Sequence, residues 1–458
     1  MACTTLTLEV TTPLFNGGAE LGGNGGSRED QEAGVRVASI RGAMRFWFRA
    51  LTGCLTGPDL RLLAGLERRV FGGISGSGSG DERATPSPLL LRIPEQPPLV
   101  PPAAQHSFLP PRHIPLRDRR QDESRWILYL MGQGLADLAK FELKRPYVAP
   151  GRTFELKIGF RHTPTGPATG DDAETRAAIE ALAVTSLWLT CAYGGIGART
   201  RRGFGGVRII AAEGTGAGRT LPLPEPWNTP ENLLTPELAH YEGLRALWPS
   251  GPVAACMPYM RTLSGGRAFD SRRAWEGTIP SFPVLSRNHA PAATSGRHFT
   301  DWQDTLIHAG EQFRRFRADT PNPGAMYHPP IETHEWGETV HGYDDGFALG
   351  ALGLPVGYQS RQQKYVVNVV DAEGTEPLRR ASPLWLRAVG EGDRYRLLSF
   401  AFQTQFLPGP NAPTVRLSHD SAQIKELMVT DDDVRRQTNQ WIAALGRGET
   451  FRDGHRRA

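Results

Sequence analysis

The sequence predicts an α+β fold in which helices pack on one face of a sheet, and in which this arrangement occurs twice. Its 458 residues suffice for two or three domains, and 39% hydrophobic with 22% charged residues is a globular balance. Segments that alternate apolar and polar residues, as half-buried strands do, interleave with segments of helical periodicity. In the first half their order is strand, helix, excursion, strand, helix, strand. This order suits a ferredoxin-like split βαβ unit with long loop insertions.

The first predicted elements are a strand and two helices. Leu6, Leu8 and Val10 alternate with polar residues, which predicts a strand. Ser39 is the predicted N-cap of a helix that carries its apolar residues on one face. A shorter helix is predicted over 59–71, where a glycine pair ends it.

The next elements complete the first predicted unit. Residues 94–115 are dense in proline and are predicted to form an extended surface excursion. Alternating apolar residues predict a strand over 153–160. A helix is predicted over 173–193, ending at a glycine pair, and a strand over 207–212 follows it.

The pattern recurs loosely in the second half. Strands are predicted over 282–286, 365–370 and 395–406, and a helix over 299–317. Two similar domains in tandem are the simplest interpretation of this repeat.

The boundary between the two domains is predicted from composition. Residues 213–235 contain GTGAG and LPLPEPWNTP, which indicate a linker. The N-terminal domain is therefore predicted to span 1–212 and the C-terminal domain 236–458.

Composition and cysteine spacing limit the classes of function. The net charge is only +4, and five of the 52 basic residues are lysines. A GC-rich genome explains many arginines, but arginine also binds phosphate bidentately and stacks on bases. The four cysteines form no CxxC pair, which disfavours a zinc knuckle and fits a reducing compartment. The longest apolar stretch, 181–193, is shorter than the ~20 residues of a membrane span. We therefore expect a soluble cytoplasmic protein without membrane contact.

A loop of glycines and arginines, residues 194–206, is the strongest candidate binding site. Glycine lets backbone amides approach a ligand, arginine adds positive charge, and phenylalanine can stack on a base. The predicted contacts to RNA are Gly195, Gly197, Arg199, Arg201, Arg202 and Phe204. The loop lacks the GxGxxG and GK[ST] patterns, because Thr200 stands where the former needs glycine and no Walker tail exists. The alternative is a solvated turn without a ligand.

A second candidate is a stripe of arginines on the helix that follows Ser39. At ~100° per residue, Arg41, Arg45 and Arg49 share one face, and the start of a helix attracts phosphate. The alternative is an ordinary solvated basic face. Further predicted RNA contacts are Ser39 at the start of this helix and two arginine pairs, Arg314 with Arg315 and Arg379 with Arg380.

No motif indicates catalysis, a metal or a cofactor. His328, His334 and His341 lie near acidic residues, but His334-Glu335 is followed by Glu338 where a zincin needs histidine. The chain has no G-x-S-x-G elbow, so a triad hydrolase is unsupported. We predict no catalytic residue, no metal site and no cofactor.

These motifs carry a resemblance to a known family. The segments LTLEVTTPLFNGGA, VRVASIRGAMRFWFRAL, LERRVFGG, GGIGARTRRGFGGV, ALGLPVGY and RRASPLWLRAV occur in this order. In this respect the chain resembles the RAMP superfamily, and within it the first Cmr subunit of type III-B CRISPR effector complexes.

The resemblance implies two RRM-related ferredoxin-like domains in a ribonucleoprotein. It implies guide RNA and target RNA as partners, other Cmr RAMP subunits as neighbours in a hetero-oligomer, and a position near the 3′ end of the guide. It also implies a noncatalytic role in antiviral defence. One alternative is a metal-independent RAMP ribonuclease that uses an acidic residue after the first strand: Glu20, Glu29, Asp30 or Glu32. Another is a scaffold subunit without RNA contact.

Overall fold

A computed structural model gives the fold as two compact units whose segments alternate along the chain. The described residues are 3–16, 34–75, 83–119, 121–161, 173–215, 252–270, 273–286, 288–317, 345–359, 364–371, 373, 377–408, 414–419 and 422–451. Unit 1 comprises Met1–Pro102, Arg145–Thr278 and Pro283–Asn288, and unit 2 comprises Ala103–Lys144, Ile279–Phe282 and His289–Ala458. The predicted domains are consecutive, whereas these units interleave. Most of the predicted linker lies outside the described residues, so its boundaries stay a prediction.

The described part of the chain contains eight α-helices and 18 strands. The α-helices are α1 Val37–Thr56, α2 Leu60–Phe71, α3 Leu116–Arg119, α4 Arg125–Met131, α5 Ala173–Ala192, α6 Pro252–Leu263, α7 Trp302–Arg317 and α8 Asp431–Gly446. The strands are β1 Cys3–Val10, β2 Gly73–Ser75, β3 Arg83–Thr85, β4 Leu89–Arg92, β5 Leu99–Val100, β6 Ala136–Asp137, β7 Glu142–Leu143, β8 Tyr147–Val148, β9 Thr153–Phe160, β10 Val207–Thr215, β11 Ala292–Thr294, β12 Val356–Gln359, β13 Lys364–Val370, β14 Pro377–Leu378, β15 Leu384–Glu391, β16 Arg394–Ala401, β17 Thr414–His419 and β18 Ala422–Leu427.

Unit 1 is built on a four-stranded antiparallel sheet in the order β10-β1-β9-β4. Together with α1 and α5 these strands follow the chain order β-α-β-β-α-β of the predicted ferredoxin-like unit. Leu6 of β1 lies opposite Leu156 of β9, and both side chains are fully buried. The predicted α+β fold class is confirmed.

The helices of unit 1 cover the apolar face of this sheet. α1 packs against α2 and α5, and α5 also packs against α6. From Ala178 onward every residue of α5 is buried. The hydroxyls of Thr185, Ser186 and Thr190 donate to carbonyls four residues earlier at 2.8, 2.7 and 2.8 Å, so this buried helix leaves none of them unsatisfied.

Unit 2 repeats part of this order around a smaller sheet. Its three-stranded antiparallel sheet runs β11-β16-β15, and α7 and α8 pack on it. The chain order of these elements is β-α-β-β-α, and the sheet order corresponds to β1-β9-β4 of unit 1. A second sheet, β12-β13-β17-β18 with β14 paired to β13, is formed by segments inserted into this order.

Four predicted element bounds are wrong. The N-cap residue of α1 is Arg36 rather than Ser39, because the backbone is already helical at Val37. Residues 282–286 form no strand. α7 begins at Trp302 because Phe299 is paired with Tyr395 across an isolated bridge. The strand predicted over 395–406 ends at Ala401.

The proline-dense stretch also differs from its prediction. Phe108 and Leu109 are 3% and 7% exposed, and the ring of Phe108 lies 5.7 Å from that of Trp302. These residues are therefore part of the core of unit 2 and not a surface excursion. None of the described helices has the length and apolar character needed to cross a bilayer.

Candidate nucleic-acid interface

The glycine-arginine loop, residues 194–206, is held in unit 1 by its own amides. They donate to the segment after β1 and within the loop: Ile196 to the Gly205 carbonyl at 2.8 Å, Ala198 to Phe15 at 2.7 Å, Gly205 to Pro13 at 3.0 Å, and Gly206 to Oγ1 of Thr12 at 2.8 Å. These four amides are satisfied by the protein. The prediction that the loop cradles phosphate with its amides is wrong for them.

The glycines permit close approach of backbone to backbone. A Cβ at Gly205, where φ is 67°, would overlap the carbonyl oxygen of Ile196. One at Gly197, where φ is 91°, would overlap that of Phe15. Gly195 is buried, and a Cβ there would lie 2.8 Å from the Gly205 carbonyl oxygen. Gly195 therefore serves packing, and of these three glycines only Gly197 is exposed.

Phe204 belongs to the core. Its side chain is 1% exposed, and its ring meets that of Phe15 edge-on at 5.9 Å. A buried ring cannot stack on a base, so the predicted contact of Phe204 with RNA is wrong. Its burial instead anchors the loop on the segment after β1.

The three arginines of the loop are at least partly exposed, and one of them, Arg201, lies beside α1. Arg199 is exposed and has a φ of 61°, in the left-handed region that non-glycine residues rarely adopt. The guanidinium of Arg201 lies 5.7 Å from the ring of Phe46, which is on α1. Arg202 is half-buried, and its amide donates to the Arg199 carbonyl at 2.8 Å. The structure thus brings together two regions that the sequence singled out separately.

The predicted arginine stripe on α1 exists, but a carboxylate from α2 holds part of it. Arg49 binds Glu67 with two hydrogen bonds of 2.6 and 2.8 Å, which raise the pKa of Arg49. Nε of Arg45 lies 3.4 Å from the same carboxylate, and the Arg45 guanidinium also donates to the Gly72 carbonyl. Arg41 donates to the Leu89 carbonyl at 3.2 Å. All three arginines thus have protein partners, although Arg49 is also exposed to solvent, and their contact with RNA stays a prediction.

The stripe remains strongly positive despite Glu67. A Cβ at Gly73 would lie 3.1 Å from Cγ of Arg68 and 3.9 Å from Nη2 of Arg45, so Arg68 joins the cluster. Arg45 and Arg49 bind the Glu67 carboxylate, while Arg41, one turn earlier on α1, and Arg68 add two further positive charges, so the four arginines exceed the one carboxylate by three charges. We call these arginines, with Glu67, the arginine cluster. Arg68 was missed in the sequence because it belongs to a different helix.

A bare stretch of helix separates the arginine cluster from Arg201. At ~100° per residue Gly42 lies between Arg49 and Phe46 around α1. Gly42 is exposed, and nothing lies within 4 Å of a Cβ built there. Glycine inside a helix costs about 1 kcal/mol relative to alanine, and this one relieves no packing conflict. Such a position lets a phosphate chain approach the helix backbone between arginines.

In unit 2, two arginines that were predicted to contact RNA bind groups of the protein instead. Arg315 binds Glu311 at 2.8 Å and the Phe451 carbonyl at 3.2 Å. Arg380 donates to Oγ1 of Thr404 at 2.9 Å, and burial lowers its pKa. Both side chains are packing residues, contrary to the prediction. Arg379 is exposed and Arg314 half-buried, and their RNA contacts stay predictions.

The open face of the unit 1 sheet carries no aromatic residue on its described strands. The residues that alternate with the buried ones include Thr5, Thr7, Glu9, Glu155, Lys157, Arg208 and Glu213. Glu9 and Arg208 form a cross-strand ion pair of 2.8 Å. RRM sheets bind RNA by stacking bases on aromatic residues, so this face lacks that means of recognition.

The described residues contain no group of three or more side chains suited to hold a metal ion. The histidines at 328, 334 and 341 lie outside them, as do the acidic residues Glu20, Glu29, Asp30 and Glu32. Cys54, Cys191 and Cys256 are buried and form no disulfide. Burial raises the pKa of Cys256 to about 12, so this thiol stays protonated at neutral pH.

Residues 7–208 match the family model of the RAMP superfamily. The matched segment includes both α1 and the glycine-arginine loop, so the candidate interface lies inside it.

Two curated proteins of Pyrococcus furiosus are similar to parts of the chain. CRISPR system Cmr subunit Cmr1-1 is 28% identical over 178 residues, which are 39% of this chain and 41% of that protein. CRISPR system Cmr subunit Cmr1-2 is 38% identical over 65 residues, 14% of this chain and 30% of that protein. The chain thus matches less than half of the length of either relative.

Solved structures are similar over more of the chain. Cmr1 from Pyrococcus furiosus in its apo form has a TM-score of 0.46 and 19% identity, covering 91% of this chain and 94% of that one. A chain of the type III-B Cmr-beta bound to cognate target RNA has a TM-score of 0.45 and 13% identity, covering 97% and 99%.

Proposed function

We propose that this chain is a noncatalytic RNA-binding subunit of a type III-B CRISPR (Cmr) effector complex. Its partners are then guide RNA, target RNA and other Cmr RAMP subunits. In the complex it caps the end of the assembly near the 3′ end of the guide RNA, and the complex is cytoplasmic. The local similarity to Cmr1-1 supports this assignment. One observation of the structure carries the RNA contact: Arg201 stacks on Phe46 and so places the loop arginines beside the arginine cluster on α1.

The chemistry of this surface suits the RNA backbone better than the bases. Arginine forks bind phosphate oxygens bidentately, and exposed Gly42 leaves room for the chain between them. The open face of the sheet offers no aromatic platform among its described residues. Binding through phosphate is independent of sequence and strongly dependent on salt, whereas guide–target pairing supplies the sequence recognition.

Among its described residues, this surface offers no group for cleavage. Its one described carboxylate, Glu67, is held by Arg45 and Arg49 and cannot act as a free general base. The chain has no histidine from 163 to 239, a range that includes the whole loop. We therefore favour the noncatalytic role over the ribonuclease alternative.

The test replaces Arg199, Arg201 and Arg202 together by alanine and measures the affinity for labelled single-stranded RNA at several KCl concentrations. Three lost phosphate contacts should lower the slope of log K against log salt by about 2, at roughly 0.7 per contact. The matched control replaces Arg208, Arg267 and Arg273 together by alanine, which removes the same charge from unit 1 at arginines that pair with Glu9, Asp59 and Asp270.

The proposal is supported if the loop variant alone binds RNA more weakly and its affinity depends less steeply on salt concentration. Equal losses in both variants indicate a general charge effect and contradict the site. Unchanged RNA binding with intact binding to partner subunits supports the scaffold alternative instead.

A further inference from the structure

We propose a second phosphate-binding site in unit 2, formed by Arg297, His298 and Arg396. It lies where the turn between β11 and α7 crosses β16. The proposal rests on the proposed function in one respect, which is that its ligand is RNA. The residues themselves belong to no segment in which the sequence predicted binding.

The turn is fixed to β16 at both ends. At one end Ser295 and Leu397 exchange two hydrogen bonds: the Ser295 amide donates to the Leu397 carbonyl at 2.8 Å, and the Leu397 amide to Oγ of Ser295 at 3.1 Å. At the other end Phe299 and Tyr395 exchange backbone bonds of 2.9 Å. Arg297 stands between these two anchors, and Oγ of Ser295 donates to its carbonyl at 2.9 Å. The turn is therefore preorganised before any ligand binds.

The side chains of this turn meet Arg396. Nη2 of Arg396 lies 2.8 Å from Nε2 of His298, and because arginine can only donate, this nitrogen of His298 accepts. Nδ1 of the neutral ring then carries the proton and is a donor. The guanidinium of Arg297 lies 5.1 Å from the ring of Phe299, which holds it over the same turn. Arg297 and His298 are exposed.

Neither Arg297 nor Arg396 forms an ion pair with a carboxylate of the described residues. Elsewhere in this unit arginines have such partners, as Arg315 has Glu311 and Arg416 has Glu426. The buried Nε of Arg396 has no hydrogen-bond partner within the described part of the chain. The buried Nε of Arg396 gains a hydrogen bond if an anion binds there, and the exposed guanidinium of Arg297 offers its positive charge to the same anion.

The surrounding charges agree with a positive potential here. Burial and then the nearby Arg297 and Arg315 lower the pKa of His308 to about 4, and its ring lies 5.1 Å from that of Phe299. Of the acidic groups nearest in sequence, two lie at the start of α7, where Asp301 accepts from the Asp304 amide at 2.8 Å and Asp304 accepts from a threonine hydroxyl. The third, Asp393, is exposed in the hairpin before Arg396, and no ion pair of the described residues joins it to Arg297 or Arg396. Hydrogen-bond donors that face no acceptor of the protein favour the binding of an anion.

Phosphate of RNA is the anion that these donors fit best. Arginine forks match its oxygens bidentately, and Gly296, with nothing within 4 Å of a Cβ built on it, leaves the approach open. A carboxylate of a partner protein would use the same donors, so it is an outcome that the experiment must separate.

The experiment uses the full chain with Arg297→Ala and Arg396→Ala combined, and the probe is a fluorescein-labelled 20-nucleotide single-stranded RNA. We expect about tenfold weaker binding near 100 mM KCl and a salt slope lower by about 1.4, at roughly 0.7 for each of two contacts. The control combines Arg117→Ala and Arg447→Ala, which remove the same charge from unit 2 at arginines that pair with Asp118 and Glu449. A third variant, Arg297→Lys with Arg396→Lys, keeps the charge but loses the bidentate forks, so it should recover only part of the affinity.

Comparison with the loop variant separates the two proposals. If Arg297→Ala/Arg396→Ala binds RNA as tightly as its control while the loop variant is weakened, the second site is wrong and the proposed function stands. If only the unit 2 variant is weakened, the second site stands and the loop site falls. Unchanged RNA binding with loss of a partner Cmr subunit in the unit 2 variant assigns the site to a protein carboxylate and overturns the RNA proposal.

Discussion

Glu67→Gln is the substitution for which RNA binding and stability should change in opposite directions. Glu67 is 12% exposed and binds Arg49 and Arg45, whose side chains are 49% and 31% exposed. Removing this carboxylate, which is largely buried but has partly exposed partners, should lower the free energy of unfolding by about 1 kcal/mol. This value lies between those typical of surface ion pairs and of buried ion pairs. A phosphate bound to these arginines lies about 7 Å from Glu67, where the repulsion is ~0.6 kcal/mol in water and more where water is excluded.

The expected result is therefore a less stable protein that binds RNA about threefold more tightly. Urea unfolding measures the first change, and fluorescence anisotropy with labelled single-stranded RNA measures the second. The control is Glu155→Gln, which removes the same charge from the exposed open face of the sheet. If Glu67→Gln binds RNA no better than Glu155→Gln, the arginine cluster does not contact RNA and the reasoning is refuted.

Two further predictions concern backbone and pH. Gly205→Ala should destabilise unit 1 by several kcal/mol, because φ is 67° and the new Cβ overlaps the Ile196 carbonyl. Gly42→Ala should not destabilise it, because nothing lies within 4 Å of a Cβ there. Urea unfolding of the two variants measures the difference. Burial lowers the pKa of His308 in the folded protein to about 4. As the pH falls, the unfolded chain therefore binds this proton before the folded chain does. The free energy of unfolding, unaffected by His308 above pH 6.5, should fall by about 2 kcal/mol as the pH falls towards 4. His308→Gln should lose less stability over this range, and an identical pH dependence would contradict the burial of this imidazole.

Local sequence patterns identified β1, α1, α2, β9, α5 and β10 of unit 1 and its arginines, but not β4 or α6. The period of α1 placed Arg41, Arg45 and Arg49 on one face, and the alternation of β9 gave its bounds as they are. Both signals depend on residues a few positions apart. They therefore do not depend on the tertiary structure of the rest of the chain.

Features that depend on distant residues were not predictable in the same way. Glu67 reaches the arginine stripe from another helix, and the sequence does not show which arginines it binds. Phe204 has the composition of a stacking residue, yet its ring packs on Phe15, which is far away in sequence. α8 was missed although Thr430 and Asp433 form a capping box, a local signal that could have found it.

The central claim is that RNA lies along α1 and the glycine-arginine loop. The most direct measurement is photo-crosslinking of the full chain to single-stranded RNA that contains 4-thiouridine, followed by mass spectrometry of the adducts. We predict adducts on peptides from Val37–Thr56, with Phe46 among the modified residues, and on peptides that contain Arg199, Arg201 and Arg202. Adducts confined to the open face of the sheet, on peptides from β1 and β9, would contradict the account.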